Sequence, residues 1–395
     1  MFALISPVML ILSLLLLVPT LVFVVEVAAG CFFNSPPSKL FTPSDPRIAV
    51  LIPAHDESIG IIPTIEDIRT QLRPGDRIVV VADNCSDDTA AIAASLDAEV
   101  TIRNDPTRIG KGYALGWGID HLSADPPAIV VVVDADCRLT AGTIVRLAEV
   151  CAQTQRPVQS LYLMTAPEGS AINHQVAEFA WRVKNWVRPL GLCAMALPCQ
   201  LMGTGMAFPW HVIRAADLSS GFIVEDLKLG LELAAAGHPP LFCPSAVVRS
   251  TFPTSTHGTK TQRQRWEQGH IGLILTKSPS LLFSALKARS KDLLALTFDL
   301  IVPPVTLLAL LLTAMVFLAA IATLTNESLY PLLISLVSLL LLVASIISSW
   351  FLYGRDILPP RSFVLIGRYC LGKLKLYRTV LLGFRNSRWI RTDRS

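Results

Sequence analysis

The chain has 395 residues, of which 52% are hydrophobic and only 16% are charged, and its formal net charge is +4. This composition excludes a purely soluble protein, in which roughly 25% of the residues are charged, and the length exceeds that of one small domain. The charge is unevenly placed, because residues 355–395 carry ten basic and two acidic side chains and leave the rest of the chain net negative. A basic tail on an apolar chain indicates contact with anionic lipids rather than with nucleic acid.

Three apolar runs are each long enough to cross a bilayer, at residues 2–25, 305–324 and 332–353. A cleaved signal peptide is the alternative for the first run, but this run lacks a basic leader and exceeds the usual apolar core of such peptides. The distribution of basic residues around the runs places the block between the first two runs, and the tail, in the cytoplasm. The sequence therefore predicts a multi-pass membrane protein, in the cell membrane if the source is bacterial.

Within the central block, short β-branched runs alternate with helical patterns, and three of the runs end in polar or turn residues. The runs at residues 47–52, 77–81 and 128–133 lead to Pro53, Asp83 and Asp134. Continuous apolar runs suit buried strands, so we predict an α/β fold with a mixed, mostly parallel sheet and helices on both faces. In such sheets the ligand binds at the carboxyl ends of the strands.

Two amphipathic stretches are predicted to lie at the membrane surface. Residues 363–384 are apolar, but Lys373 and Lys375 at their centre would cost roughly 2.5–3.5 kcal/mol each inside a bilayer, which favours an interfacial helix. Residues 181–190 carry an apolar stripe at helical spacing, with Arg188 and two other basic residues off the stripe. An ordinary surface helix is the alternative for this second stretch.

The predicted domain organisation follows from these segments. It comprises a transmembrane helix at residues 1–30, a cytoplasmic α/β domain at 44–291, two transmembrane helices at 292–354 and a basic interfacial tail at 355–395. The eight cysteines form no CxxC pair and no Cys/His cluster, which excludes a zinc site of that kind and a disulfide framework. Their scatter is typical of a reducing compartment.

The chemistry of the central block depends on acidic residues rather than on a glycine-rich loop. No GxxxxGK[ST] or GxGxxG pattern occurs, so neither a P-loop nor a Rossmann dinucleotide site is supported. Asp134 and Asp136 lie one residue apart after a buried run, and this spacing lets carboxylates reach a hard divalent cation, Mg²⁺ or Mn²⁺. Such a cation usually bridges phosphate oxygens, and the diphosphate of a nucleotide sugar fits this chemistry.

Two further motifs make the pattern specific. Glu225 and Asp226 follow Val224, and residues 262–266 read Gln-Arg-Gln-Arg-Trp. With the Asp-Ala-Asp motif, this order resembles the membrane-bound family 2 glycosyltransferases of GT-A fold. That group contains the cellulose, hyaluronan and chitin synthases, the nodulation chitooligosaccharide synthases and, more distantly, the ceramide glucosyltransferases. The resemblance covers residues 47–266.

The resemblance implies a role for each matching residue. On the donor side it implies nucleoside contacts for Pro53, Glu57 and Asp83, a ribose contact for Asp134, and diphosphate contacts for Lys111, Gln262 and Arg265. It also implies Asp136 as the metal ligand, Asp226 as the general base with Glu225 beside it, and Gly203, Thr204 and Trp266 as acceptor contacts. Met202 stands where the acceptor loop of the synthases has cysteine.

Several of these residues also have a structural interpretation. Glu225 and Asp226 could cap a helix at residues 227–236. Trp266 could be a core residue or an interfacial anchor. Asp299, close to the second apolar run, either faces a path for the acceptor or lies at the membrane interface.

The resemblance implies an inverting glycosyltransferase that moves a sugar from a UDP-sugar to a lipid-linked or growing glycan at the cytoplasmic face. Exopolysaccharide or glycolipid synthesis is the expected setting, with membrane lipids, a second copy or polysaccharide-pathway proteins as partners and no nucleic acid. A processive synthase that also exports its polymer is one alternative. A non-catalytic membrane scaffold with a degenerate domain is another.

Overall fold

The computed structural model describes residues 5–33, 45–170, 172–218, 224–253, 256–325 and 327–362, together with residues 367, 372–374 and 377. The predicted interfacial helix at residues 363–384 and most of the basic tail lie outside these ranges. None of the seven cysteines in the described ranges forms a disulfide.

The described ranges contain eight strands and thirteen α-helices. The strands are β1 Ile48–Ala54, β2 Arg77–Asp83, β3 Glu99–Arg103, β4 Ile129–Val132, β5 Arg138–Leu139, β6 Val158–Thr165, β7 Met206–Pro209 and β8 Leu241–Thr251. The helices are α1 Ile5–Phe32, α2 Ile61–Arg69, α3 Thr89–Ser95, α4 Lys111–Leu122, α5 Thr143–Thr154, α6 Ile172–Arg182, α7 Arg188–Ala194, α8 Trp210–Arg214, α9 Glu225–Ala235, α10 Thr256–Ala288, α11 Lys291–Ile301, α12 Val305–Leu324 and α13 Tyr330–Tyr353. A π-helical turn at Val183–Val187 joins α6 to α7.

The strands form one mixed sheet in the order β3-β2-β1-β4-β7-β6-β8-β5. Only β7 and β5 run against the others, so the predicted mixed, mostly parallel sheet is confirmed. Alternate residues of β1 enter two different cores: Val50 packs with α2 and α5, whereas Leu51 packs with α4 and α9. Helices therefore cover both faces of the sheet, and for this reason its central strands are apolar throughout.

Three described helices are long and apolar enough to cross a membrane, namely α1, α12 and α13. The bounds of α12 match the predicted run, whereas α1 continues to Phe32, beyond the predicted end at residue 25. Residues 291–301 form the separate helix α11, which packs on α9 and α10 and is not part of a span. The hydroxyl of Ser290 caps this helix by accepting a hydrogen bond from the backbone N–H of Leu293 at 3.2 Å.

The amphipathic stretch at residues 181–190 lies between the sheet domain and the membrane helices. Val183 and Val187 of the predicted apolar stripe are buried against Phe23 of α1 and Leu308 of α12, so the stripe contacts protein. Arg188, which was expected off the stripe, is also buried, with 6% of its surface exposed. The segment is therefore a buried connection between the two parts of the molecule.

Two glycines allow α1 and α7 to approach until their backbones touch. A Cβ atom added at Gly191 would lie 1.9 Å from the backbone oxygen of Glu26, and one added at Gly30 would lie 2.1 Å from that of Val187. Only a residue without a side chain fits at either position. This close crossing brings the Glu26 side chain of α1 next to Arg188 of α7.

We expect Gly191→Ala to lower the unfolding temperature of the purified full chain in detergent, because the added methyl group forces α1 away from α7. Overpacking of this kind costs roughly 1–3 kcal/mol. Gly367→Ala is the matched control, since it adds the same methyl group where no atom of the described residues lies within 4 Å. An unchanged unfolding temperature for Gly191→Ala would contradict the close crossing.

Candidate active site

A cavity of about 370 Å³ opens at the carboxyl ends of β1, β2 and β4. Helices α6 to α7, α9, α10 and α11 contribute its other walls. The cavity brings together every candidate site residue except Thr204: Pro53, Glu57, Asp83, Lys111, Asp134, Asp136, Gly203, Glu225, Asp226, Gln262, Arg265 and Trp266.

One end of the cavity contains Asp83, the last residue of β2. Its Oδ1 accepts hydrogen bonds from Nη1 of Arg103 at 2.6 Å and from Nδ2 of Asn84 at 3.0 Å. The guanidinium group of Arg103 also lies over the ring of Tyr113, 5.4 Å from its centroid. Burial raises the pKa of Asp83, although the neighbouring Arg103 counteracts this effect. The interactions at Oδ1 leave Oδ2 as the oxygen that can bind a ligand.

The centre of the cavity contains Lys111, the first residue of α4. Its ammonium group donates hydrogen bonds to the carboxylate of Asp134 and, at 2.8 Å, to the carbonyl of Gly203. Burial alone would lower the pKa of Lys111, but the carboxylates of Asp134 and Glu225 raise it to about 12. Lys111 is therefore a fixed positive charge at the centre of the site.

The Asp-Ala-Asp motif has the donor set of a site for a hard cation. Carboxylate oxygens of Asp134 and Asp136 and the sulfur of Cys137 lie within 4.8 Å of one another. Burial and the two carboxylates raise the pKa of Cys137 well above its ordinary value, so the sulfur stays a neutral thiol. The two carboxylates fit Mg²⁺ or Mn²⁺, which take one or two protein carboxylates and complete their coordination with phosphate oxygens and water.

The loop at residues 201–205 closes the cavity opposite these aspartates and is held from behind by β6. The fully buried side chain of Gln159 accepts a hydrogen bond from the N–H of Met202 at 2.7 Å and donates one to the carbonyl of Thr204 at 2.9 Å. Thr204 itself is fully buried and does not line the cavity, although it was placed among the acceptor contacts. Its hydroxyl accepts a hydrogen bond from the N–H of Asp134 at 3.0 Å and so supports the motif from behind.

Glu225 and Asp226 form the first turn of α9 and do not occupy its capping position, which is Val224. A Cβ atom at Gly203 would lie 3.3 Å from Oδ2 of Asp226 and 3.8 Å from Nζ of Lys111, so glycine keeps the space between them open. Burial and the adjacent Asp226 carboxylate raise the pKa of Glu225 to about 7. Burial also raises the pKa of Asp226, while Lys111 counteracts this rise.

The Gln-Arg-Gln-Arg-Trp motif lies near the start of α10. Trp266 lines the cavity and also packs on Trp181 of α6, with ring centroids 4.9 Å apart, so its functional and structural interpretations are compatible. The next residue, Glu267, forms an ion pair with Lys373 at 2.5 Å. The motif is therefore held from two sides.

The far end of the cavity contains charged residues to which the motifs assign no role. Arg188 donates hydrogen bonds to Glu26 of α1 at 2.6 Å, and to both the carboxylate and, at 3.1 Å, the carbonyl of Asp299 in α11. Asp299 thus lines the cavity and contacts Arg188. Burial, with the positive charge of Lys184, lowers the pKa of His270 to about 3, so this histidine is neutral.

The Arg188 partners lie more than 100 positions away along the chain. The sequence would have suggested that Arg188 binds buried carboxylates only if the residue had been assigned to the inward face of its helix.

Comparison with known proteins agrees with this geometry. The family model described as "Glycosyltransferase like family 2" matches residues 46–269, which is more than half of the chain. The probable glycosyltransferase YdaM of Bacillus subtilis is 25% identical over 245 residues, covering 58% of this chain and 56% of YdaM. The uncharacterized glycosyltransferase Rv0539 of Mycobacterium tuberculosis is 31% identical over 122 residues, covering 29% of this chain and 51% of that protein. The chain thus spans about half the length of the curated relatives that it matches.

A solved structure with the same fold is the mannosyltransferase PcManGT of Pyrobaculum calidifontis, in complex with GDP-Man and Mn²⁺. It is 16% identical, with a TM-score of 0.50 over 87% of this chain and 99% of that chain. The sheet topology, with strand-end carboxylates, and the family match together confirm the GT-A fold expected from the motifs. The chain belongs to the family 2 glycosyltransferases.

Proposed function

We propose that the chain is a membrane-bound, inverting glycosyltransferase that moves a sugar from a UDP-sugar to a lipid-linked or growing glycan. The observation that carries this proposal is the arrangement around Gly203, which separates the Asp226 carboxylate from the Lys111 ammonium group. Lys111 in turn contacts Asp134 of the Asp-Ala-Asp motif. A base, a cation and a metal-binding motif thus surround one space large enough for a sugar.

The environment of Asp83 favours uracil over guanine. Guanine presents two adjacent N–H donors, which need both oxygens of a carboxylate, whereas uracil presents one N–H group between two carbonyls. Since Arg103 and Asn84 occupy Oδ1 of Asp83, one oxygen is left for the base. This count supports a UDP-sugar donor.

Asp136 and Asp134 would hold Mg²⁺ or Mn²⁺, which neutralises negative charge on a diphosphate when bound. Lys111 and Arg265 add fixed positive charge at the same place, and the planar guanidinium group suits two phosphate oxygens at once. Pro53 and Glu57 would border the nucleoside, and Gln262 would add a hydrogen bond to the leaving diphosphate. The chain therefore stabilises charge where it develops as the UDP leaves.

Asp226 would accept the proton of the acceptor hydroxyl while the hydroxyl oxygen attacks the anomeric carbon. A base and a leaving group on opposite sides of the sugar produce one displacement, which inverts the anomeric configuration. Glu225 stays beside the base, and the indole of Trp266 offers a flat surface for a sugar ring next to Gly203.

The membrane helices support an acceptor that comes from the lipid. The cavity shares Arg188 and Asp299 with the contact to α1, so it lies next to the first candidate span. With the cytoplasmic orientation predicted by the basic residues, the donor arrives from the cytoplasm. Exopolysaccharide or glycolipid synthesis is the setting that we propose.

A donor screen tests the nucleotide and the metal together. We expect the purified chain to release UDP from one UDP-sugar, to leave GDP-mannose intact, and to lose activity with EDTA and regain it with Mn²⁺ or Mg²⁺. The Asp136→Asn variant should need a higher concentration of metal. Equal turnover of GDP-mannose would contradict the interpretation of Asp83, and full activity in EDTA would contradict that of Asp136.

Replacement of the base tests whether the chain is an enzyme. We expect Asp226→Asn to reduce UDP release by about 10²–10⁴-fold, because this is the typical contribution of a general base, while UDP still binds. Asp120→Asn, which changes an exposed aspartate on α4, is the matched control. Full activity of Asp226→Asn would support a scaffold instead.

The raised pKa values predict a dependence on pH. Burial holds the pKa of Glu225 at about 7 and raises that of Asp226, and a base acts only when it is ionised. We therefore expect kcat/KM to fall as the pH is lowered, because the base takes up its proton at a higher pH than an ordinary aspartate does. Glu225→Gln removes a negative neighbour of the base and should move the midpoint to lower pH, and an unchanged profile would exclude this coupling.

A further inference from the structure

Beyond Asp226, the cavity continues to a wall formed by Lys184, Asn185 and Arg188. All three belong to the π-helical turn or to the residue that follows it. Single π-helical turns inside helices occur frequently at functional sites. The sequence motifs and the family comparison assign no role to this wall.

Each of these three side chains has a donor that no described residue uses. Arg188 donates through Nε and Nη2 to Glu26 and Asp299, which leaves Nη1 without a described partner. Asn185 is 1% exposed, and its buried Nδ2 has no hydrogen-bond partner in the described ranges.

Lys184 is the third donor and has the clearest access to the cavity. Its side chain is open to this space, and within the described ranges no carboxylate lies within the 4.0 Å of an ion pair. Its described neighbour is the ring of Trp181, whose centroid is 5.6 Å from Nζ. Lys184 is thus an exposed cation on the cavity wall, and no carboxylate in the described ranges lies at ion-pair distance from it.

The nearby carboxylates accept no described hydrogen bond from Nζ of Lys184, Nδ2 of Asn185 or Nη1 of Arg188. Glu26 and Asp299 both bind Arg188, and Asp226 is the proposed base. His270 is neutral, and its Nε2 bonds to the carbonyl of Leu300 at 3.0 Å. A ligand at this wall must therefore supply oxygen acceptors, and a negatively charged group gives the strongest hydrogen bonds to an ammonium and a guanidinium donor.

The donor diphosphate has its own cation in Lys111, which pairs with Asp134 of the Asp-Ala-Asp motif, so this wall is assigned to a second group. We propose that Lys184, Asn185 and Arg188 bind an anionic oxygen group, a phosphate or a carboxylate, on the acceptor. The proposal rests on the proposed function, since it names the chemistry of the acceptor for the same site. The acceptor hydroxyl would then be held between this anchor and the base.

Three amphiphiles with the same alkyl chain test the proposal by binding. Dodecyl phosphate, dodecyl β-D-glucuronide and the neutral dodecyl β-D-glucoside are titrated into the purified full chain in a non-ionic detergent. We expect Lys184→Met to weaken the binding of an anionic amphiphile by about tenfold, as is typical of a hydrogen bond to a charged group. The glucoside should bind as before, and Lys184→Arg should retain the affinity.

Controls separate the wall from general charge effects. Lys277→Met removes an exposed lysine from α10 and should leave all three affinities unchanged. Unchanged UDP affinity in each variant verifies that the donor end is folded. The probe that loses more affinity in Lys184→Met identifies phosphate or carboxylate as the group.

The proposal is overturned if Lys184→Met changes the three amphiphiles equally or changes none of them. An equal change would mean that Lys184 affects the site only through its positive charge near Asp226 and does not bind the anionic group. Because the measurement is binding, it gives an answer even if no sugar is transferred, and so a failure of the proposed function remains distinguishable.

Discussion

The molecule depends on one buried arginine at the boundary between its sheet domain and its candidate membrane spans. The side chains of Arg188, Glu26 and Asp299 are 7%, 3% and 10% exposed, and they come from α7, α1 and α11. Removing one partner of such a buried pair typically costs about 3–5 kcal/mol, because a charge is then left without compensation. The first candidate span and the far end of the cavity are therefore joined by a contact that tolerates little displacement.

A second constraint comes from the sheet, since parallel strands bring their carboxyl ends to one edge. Asp83 ends β2 and Asp134 follows β4, the two parallel strands on either side of β1, and their carboxylates would repel each other and Asp226 without nearby cations. Arg103 and Lys111 supply these cations within hydrogen-bonding distance. The same burial that makes this compensation necessary also raises the pKa of Asp83 and of Asp226.

The elements with strong local patterns were predictable from the sequence. The run at residues 305–324 becomes α12 with the same bounds, and the strand ends at Asp83 and Asp134 lie together as their periodicity indicated. The resemblance implied an acceptor contact for Thr204, but this side chain is fully buried, because Gln159, more than 40 positions away, holds the loop backbone at Met202 and Thr204. Arg188 was treated as a surface residue for the same reason, since its partners belong to helices that are remote in the sequence.

The ion pair between Glu267 and Lys373 links the tail of the chain to α10, the helix that carries the Gln-Arg-Gln-Arg-Trp motif. Both side chains are largely buried, at 13% and 14% exposure, so the pair is little screened by water or salt. Glu267 directly follows Trp266, which means that the electrostatic environment of the motif includes a residue more than 100 positions downstream. A tail that first suggested only attraction to lipid headgroups therefore also supplies a counter-ion to α10, so a truncation before Lys373 would leave the largely buried Glu267 carboxylate without this partner.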